Sequence, residues 1–331
     1  MPTAPGARNG AELDLLRQIR RRARSGTAVA LGIGDDCALL RARPGEQIAV
    51  TTDLSIDGRH FRLNWHPPES VGHRTLARGL SDLAAMGARP LAAFLSLGLP
   101  PRLVRPGRGG ASWMSRFYDG LLSLADESGV SLAGGDLAES SVALADIVLV
   151  GAVPRGKALL RSGAHPGDAI YVTGPLGASA TGLARMAERA RAFDPTARLR
   201  IPPSWAPLLQ PHLFPQPRLR QGSWLRVHRA ATAAIDLSDG VSTDLAHICE
   251  ESGVAAEVDA AAIPLGLGAT IDQALHGGED YELLFTVAPS RRIPAQIAGV
   301  PVTRIGRIIR KRAGRPNIAL LTPDGSSPLE A

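Results

Sequence analysis

The sequence predicts a two-domain protein of α/β or α+β class, on three observations. Its 331 residues exceed one ordinary domain, at roughly 150 residues per domain. Apolar, β-branched runs alternate with helical patterns across Gly-rich junctions. Near residues 154–167 the texture changes to Arg, Gly and Pro, which places the boundary between a first domain, 1–155, and a second, 156–331.

Taken in order, residues 1–10 read as a loose tail. Residues 12–24 carry Leu13, Leu15, Leu16 and Ile19 at helical spacing, with a basic outer face. Short apolar runs at 29–33 and 47–52 end in Gly34-Asp35-Asp36 and in Asp53. Residues 67–86 read as a helix with prolines at its start. A buried strand is expected at 91–97, a helix at 111–128 stopped by Gly129, and a strand at 141–153. In the second half, strands are expected at 168–173, 232–235, 281–287 and 302–309, and helices at 177–190 and 238–251. The Pro-rich stretch 198–217 reads as an excursion over the surface. No repeat of 20–50 residues is present.

Composition excludes several classes. Hydrophobic residues are 44% and charged residues 21%, which rules out a mostly disordered chain. Aromatics are only 4%, so the core must be built from Ala, Leu, Val and Ile. The longest apolar candidate, 83–101, is broken by Arg89 and Pro90, so no membrane span is expected. Residues 1–14 show no apolar signal-peptide region, and Cys37 and Cys249 are too few for a disulfide framework. A cytoplasmic location is the expectation. The net charge is +6, yet the arginines are scattered, which reads as a compositional habit and not as a nucleic-acid surface.

The placement of the aspartates is more informative. Asp35 and Asp36, Asp53, Asp82, Asp136, Asp236 and Asp239 all end or interrupt apolar or Gly-rich segments. Ionised carboxylates near apolar surface are costly unless paired or bound to a cation. No arginine lies inside these motifs, so hard cations with oxygen ligands are the other solution. Each motif alone has a plainer reading. Asp239 fits a helix N-cap, Asp35-Asp36 a turn, and Gly134-Gly135-Asp136 a hairpin turn. Five such motifs together are poorly explained by turn chemistry. Gly134-Gly135 and Gly277-Gly278 would let backbone approach a ligand closely. A P-loop is absent, and Gly32-Ile33-Gly34 fails the dinucleotide fingerprint.

The motifs resemble one family in composition and order. They are Gly32-Ile33-Gly34-Asp35-Asp36-Cys37-Ala38-Leu39-Leu40, Thr51-Thr52-Asp53, Gly58-Arg59-His60-Phe61 and Ser81-Asp82-Leu83-Ala84-Ala85-Met86-Gly87-Ala88. Gly134-Gly135-Asp136, Leu160-Arg161-Ser162-Gly163-Ala164, Ile235-Asp236-Leu237-Ser238-Asp239-Gly240 and Gly277-Gly278-Glu279-Asp280-Tyr281-Glu282-Leu283 complete the set. This set resembles the thiamine-monophosphate kinases, within the wider aminoimidazole-ribonucleotide-synthase-like superfamily. The His60 and Glu279 blocks point to the thiamine branch.

The resemblance implies a homodimer whose first domains build a β-barrel between subunits, followed by an α/β domain. It implies direct phosphoryl transfer from ATP to thiamine monophosphate, the last step of thiamine diphosphate biosynthesis, dependent on several magnesium ions. Asp36, Thr51, Thr52, Asp53, Asp82, Asp136, Asp236 and Asp239 match metal-binding positions. Gly135, Asp136, Arg161 and Ser238 match ATP-binding positions, and His60 and Glu279 match contacts to thiamine monophosphate. Neither a nucleic-acid nor a membrane partner is implied. Two departures stand out: Leu137 follows Gly-Gly-Asp where a Thr is common, and the C-terminal tail lacks an aromatic residue. The competing readings are another ATP-using member of the superfamily and a non-catalytic nucleotide or thiamine-phosphate sensor. A selenophosphate-synthetase-like enzyme would need an N-terminal Cys with a nearby Lys, and residues 1–30 hold neither.

Overall fold

Two sheets organise the chain in the computed structural model, which describes residues 17, 19–23, 26–33, 37–105, 111–191, 198–314 and 317–330. The first half contains β1 (Val29–Leu31), β2 (Leu39–Leu40), β3 (Glu46–Ile56), α1 (Pro68–Ala85), β4 (Arg89–Leu99), α2 (Trp113–Ser128), β5 (Ser131–Glu139) and β6 (Leu144–Pro154). β1 and β2 form a small antiparallel ribbon. The other strands form a sheet of order β3-β6-β4-β5, parallel only between β4 and β5. Of the helix expected at 12–24, residues 17 and 19–22 are helical, and most of the rest lies outside the described residues.

Period decides which faces are covered. Leu76, Leu80 and Leu83 of α1 and Phe117, Leu121 and Leu124 of α2 recur at helical spacing and pack on Leu95, Leu97, Ile147 and Leu149 of the sheet. α1 begins at Pro68, where a missing N–H costs nothing. α2 is capped by the Ser112 hydroxyl, which accepts the Ser115 N–H at 3.0 Å, and ends at a left-handed Gly129. The opposite face of the sheet is bare along β3, where Ile48, Val50 and Leu54 are 49%, 60% and 46% exposed.

The second half contains β7 (Ala169–Thr173), α3 (Ala178–Arg191), α4 (Ala206–Leu213), α5 (Leu219–Val227), β8 (Ala233–Asp236), α6 (Val241–Ser252) and β9 (Ala255–Asp259). α7 (Ile271–His276), β10 (Leu283–Val287), β11 (Gln296–Ile297), β12 (Val300–Ile309), β13 (Ile318–Thr322) and β14 (Gly325–Pro328) follow. The sheet order is β14-β13-β9-β12-β7-β10-β8, with β11 hairpinned on β12. Its core gathers Ile170, Val172, Ile235, Leu245, Ile248, Val258 and Leu284.

Several expectations are corrected. Gly134-Gly135-Asp136 is no turn; it lies within β5. β3 runs through Asp53 and does not end there. The Pro-rich stretch is not a surface excursion. It folds into α4, which buries Leu209, His212 and Leu213 beside Met186, because their i, i+3, i+4 spacing supplies an apolar face despite Pro211. α5, β9, β13 and β14 went unread, being short and weakly patterned.

The two halves meet along α1. A Cβ on Gly222 would lie 1.8 Å from the Ala84 carbonyl oxygen, so α5 touches α1 backbone to backbone. The Arg226 Nε donates to the Gly87 carbonyl at 2.7 Å and closes the same joint.

Candidate active site along helix α1

One face of α1 carries Arg74, Arg78 and Asp82 at four-residue steps, with Ser81 beside them. β3 approaches this face from one side. Thr51 donates its hydroxyl to Asp82, and Arg78 donates to one oxygen of Asp53 from Nε at 3.3 Å and from Nη2 at 3.1 Å. β8 approaches from the other side. Asp236, its last residue, accepts the Ser81 hydroxyl at 2.7 Å.

Burial pushes the Asp53 carboxyl up against the opposing pull of Arg78. Burial, and then the neighbouring Asp53, raises Asp82 against the Thr51 hydrogen bond. Burial, reinforced by Asp82, pushes Asp236 up to about 7. The three carboxylates therefore form an electrostatically coupled row across the two halves.

The loop after β8 is built by a carboxylate that the sequence did not single out. Asp244, in the first turn of α6, accepts the backbone N–H groups of Ser238, Asp239 and Gly240 at 3.0, 3.0 and 3.1 Å. Asp239 is consequently not the N-cap; Gly240 holds that position and Asp239 is exposed. The loop is laced to 277–282 by hydrogen bonds from the Glu279 N–H to Ser238 and from the Tyr281 N–H to Leu237. Glu279 and Tyr281 both adopt left-handed backbone, with φ of 67° and 52°. That turn aims Glu279 at α1, where its Oε2 accepts from Arg74 at 2.7 Å.

Arg74 is the hub of this end. It also donates to the carbonyls of His212 and His60, fixing α4 and the 56–61 turn to α1. His60 accepts the Ile56 N–H on Nδ1 at 3.2 Å. Burial, followed by the Arg78 charge, holds its pKa below the ordinary value, so its ring is neutral at pH 7.

The structure thus brings together Thr51, Asp53, Asp82, Asp236, His60 and Glu279. Arg161 lies within electrostatic reach of Asp82, and Ser238 is half-buried in the loop that Asp244 holds. Two candidates lie elsewhere. Register places Thr52 with Gly134, and Asp136 with Ser96, Asp146 and Leu54, on the sheet face opposite to α1. Asp136 is exposed there and accepts the N–H of Leu137 at 2.8 Å. Asp36 lies outside the described residues. A cleft of about 740 Å³ runs beside β5, lined by Cys37, Phe94, Gly134, Gly135, Asp136 and Leu137 among others. Its size suits a nucleotide-sized ligand.

Gly135 and Gly278 have a reason other than a ligand. A Cβ on Gly135 would sit 1.9 Å from the Leu95 carbonyl oxygen, and one on Gly278 would sit 2.4 Å from that of Ser238. Close chain packing alone requires both glycines.

Among the described residues no three acidic, His or Cys side chains converge at metal-binding spacing. The donor chemistry of the row nevertheless fits a hard cation. Asp82 and Asp236 are half- to fully buried, repel each other and have a single hydroxyl donor apiece, and a cation would relieve both burial and repulsion. Sequence reasoning missed Arg74, Arg78, Ser81, Asp244 and Tyr281. The four-residue spacing of Arg74, Arg78 and Asp82 was a usable signal; nothing local marked Asp244 or Tyr281.

Comparisons place the chain in a known group. Models of the AIR synthase related protein match the chain as an N-terminal domain over residues 34–153 and a C-terminal domain over 165–318. The thiamine-monophosphate kinase of Salmonella typhimurium is 40% identical over 311 residues, covering 90% of each chain. This chain belongs to the thiamine-monophosphate kinase family. The crystal structure of the family member from Stenotrophomonas maltophilia superposes with a TM-score of 0.78 at 37% identity, covering 94% of this chain and 95% of that one. A solved complex, AaThiL with AMPPCP and TMP, gives a TM-score of 0.71 at 29% identity over 93% and 91% of the two chains. The family accounts for the mixed two-domain fold and for the kinase chemistry read from the motifs.

Proposed function

We propose that this chain catalyses ATP-dependent phosphorylation of thiamine monophosphate to thiamine diphosphate, the last step of thiamine diphosphate biosynthesis. The observation that carries the reading is the continuous site along α1 in a chain 40% identical to a thiamine-monophosphate kinase. A phosphate oxygen of the acceptor attacks the γ-phosphorus of ATP in line, the bond to the β,γ-bridging oxygen breaks, and ADP leaves. The acceptor is already an anion, so no strong general base is needed. The obstacle is repulsion between two anions, and positioning with charge neutralisation overcomes it.

Thr51, Asp53, Asp82 and Asp236 are the proposed magnesium ligands, joined by Asp36, Thr52, Asp136 and Asp239. The ions, when bound, neutralise phosphate charge and template the line of attack. Gly135, Asp136, Arg161 and Ser238 are the proposed ATP contacts. Support for Arg161 comes from its electrostatic reach to Asp82, and for the β5 residues from the adjacent cleft. His60 and Glu279 are the proposed contacts to thiamine monophosphate, supported by their common attachment to Arg74. Arg74 holds Glu279 as an acceptor for a ring donor, and the neutral His60 can offer one N–H to phosphate.

The division at 155/156 into two domains is supported by the separate sheets and by the span of the two family models. A homodimer with a barrel between subunits is supported by the bare apolar face of β3. Among the described residues no helix is long and apolar enough to cross a membrane. Both cysteines are unpaired, which suits a cytoplasmic place of action.

The test is an assay with ATP, magnesium and thiamine monophosphate, the product identified by chromatography. Thiamine diphosphate formed by the wild type and lost in Asp53→Ala is the expected result. No product at high enzyme concentration, with ATP binding intact, would sink the reading.

A further inference from the structure

Three arginines, Arg59, Arg74 and Arg78, lie within charge reach of His60 at the acceptor end of the site, and Arg59 among them is exposed on the 56–61 turn. His60 is neutral, because burial and the neighbouring arginines depress its pKa. Arg74 is fully committed: its side chain is 6% exposed, and its two terminal nitrogens are spent on Glu279 and on the carbonyls of His60 and His212. Arg78 differs. Its Nε and Nη2 both reach a single oxygen of Asp53, so a fork shaped for two oxygens holds only one. Its Nη1 makes no hydrogen bond among the described residues. The side chain lines a small cavity with His60, Ser55 and Thr75, and lies near enough to Glu279 for each to feel the other's charge.

We infer that Arg78 is a direct binding residue for the acceptor phosphate, supplying the two-pronged positive charge that His60 does not. This rests on the proposed kinase reading. It goes beyond that reading by adding an arginine that neither the motifs nor the resemblance singled out. Asp53 then acts as the anchor that orients the guanidinium in the free protein, and phosphate offers it a pair of oxygens. The arrangement also selects phosphorylated over unphosphorylated thiamine, because thiamine leaves the fork with nothing to hold.

The recognition comes from the protein's own cation, so it is read by calorimetry without magnesium. Thiamine monophosphate and thiamine are titrated separately into wild type, Arg78→Gln, Arg78→Lys, Asp53→Asn and the Asp53→Asn/Arg78→Gln double variant. The expected result for Arg78→Gln is a loss of about tenfold to hundredfold in affinity for the monophosphate, with thiamine affinity unchanged. Arg78→Lys should recover part of the loss, since a point charge remains without the fork. The loss should persist in the Asp53→Asn background. If it vanishes there, Arg78 only neutralises Asp53 and the inference falls. Equal affinity of Arg78→Gln and wild type for the monophosphate overturns it as well, as does a wild type that binds thiamine and its monophosphate alike. Thiamine diphosphate formation by the wild type with magnesium is scored separately, so failure of this inference leaves the kinase reading standing.

Discussion

Two groups of buried carboxylates sit in this molecule and are held in opposite ways. In the second half, Asp244 accepts three backbone N–H groups, Asp280 accepts those of Gly177 and Ser179, and Glu282 is gripped by Arg218 and the Thr173 hydroxyl. Along α1, Asp82 and Asp236 have one hydroxyl each, and Asp53 has one arginine. Acidity does not separate the groups: burial pushes Asp236 and Asp244 alike to about 7. Donor supply does separate them. A fully satisfied buried carboxylate builds the loop around it, whereas an under-satisfied one keeps acceptor capacity that the chain's own donors leave open.

The largest effect should come from breaking the satisfied set. Glu282 is 3% exposed, and Glu282→Ala would strand Arg218 and Thr173. A loss of about 3–5 kcal/mol in urea unfolding is expected. The under-satisfied set should behave in the reverse manner. Asp236→Asn is expected to lower the phosphorylation rate by about 10²–10³-fold, since it removes charge aimed at the transferring group. The same variant should unfold no more easily than the wild type, because it relieves repulsion with Asp82. A large loss of stability in Asp236→Asn would abolish the distinction.

Titration sharpens it further. Folded Asp236 keeps its proton up to about 7, whereas the unfolded chain releases it near 3.8. Between those values the native state binds more protons, so metal-free stability should fall as pH rises from 4 toward 7. Thermal unfolding at pH 5 and pH 8 in chelator checks the sign. Asp236→Asn should flatten the slope only in part, since burial raises Asp244 to about 7 and Asp280 to about 6. Magnesium at pH 8 should restore stability to the wild type more than to Asp236→Asn. The smallest effect belongs to an exposed pair. Arg307, 61% exposed, pairs with Glu257, and Arg307→Ala should cost less than about 1 kcal/mol.

The under-satisfied carboxylates were legible in the sequence because each interrupts an apolar stretch with no charged partner beside it. Ser81-Asp82-Leu83-Ala84 and Ile235-Asp236-Leu237-Ser238 advertise the lack of a local partner. Their partners were not legible. Arg78 reaches Asp53 across 25 residues, and Arg74 reaches Glu279 across 205, so neither pairing leaves a trace within a window of sequence. Asp239 and Asp244 both suit a helix start, yet Gly240 is the N-cap, and it is Asp244, in the first turn, that accepts the N–H groups of 238–240. α4 was hidden by its prolines, whose local signal is opposite to the burial that Leu209 and Leu213 obtain. Long, strongly periodic elements such as α1 and α2 carried their own evidence, and β14 carried none.

Helix α1 has the character of a ruler. Arg74 stands at the end that holds Glu279 and Asp82 at the end that faces Asp236, two turns or about 12 Å apart at the α-helical rise. The interval is set by a ladder of backbone hydrogen bonds and pinned by the contact of Gly222 with Ala84, so no loop can stretch it. Inserting one residue between them would swing Asp82 about 100° around the axis and off the face it shares with Arg74 and Arg78. Between residues 74 and 82 the gene can therefore not vary in length, and at Arg78 and Ser81 it is held in letters as well.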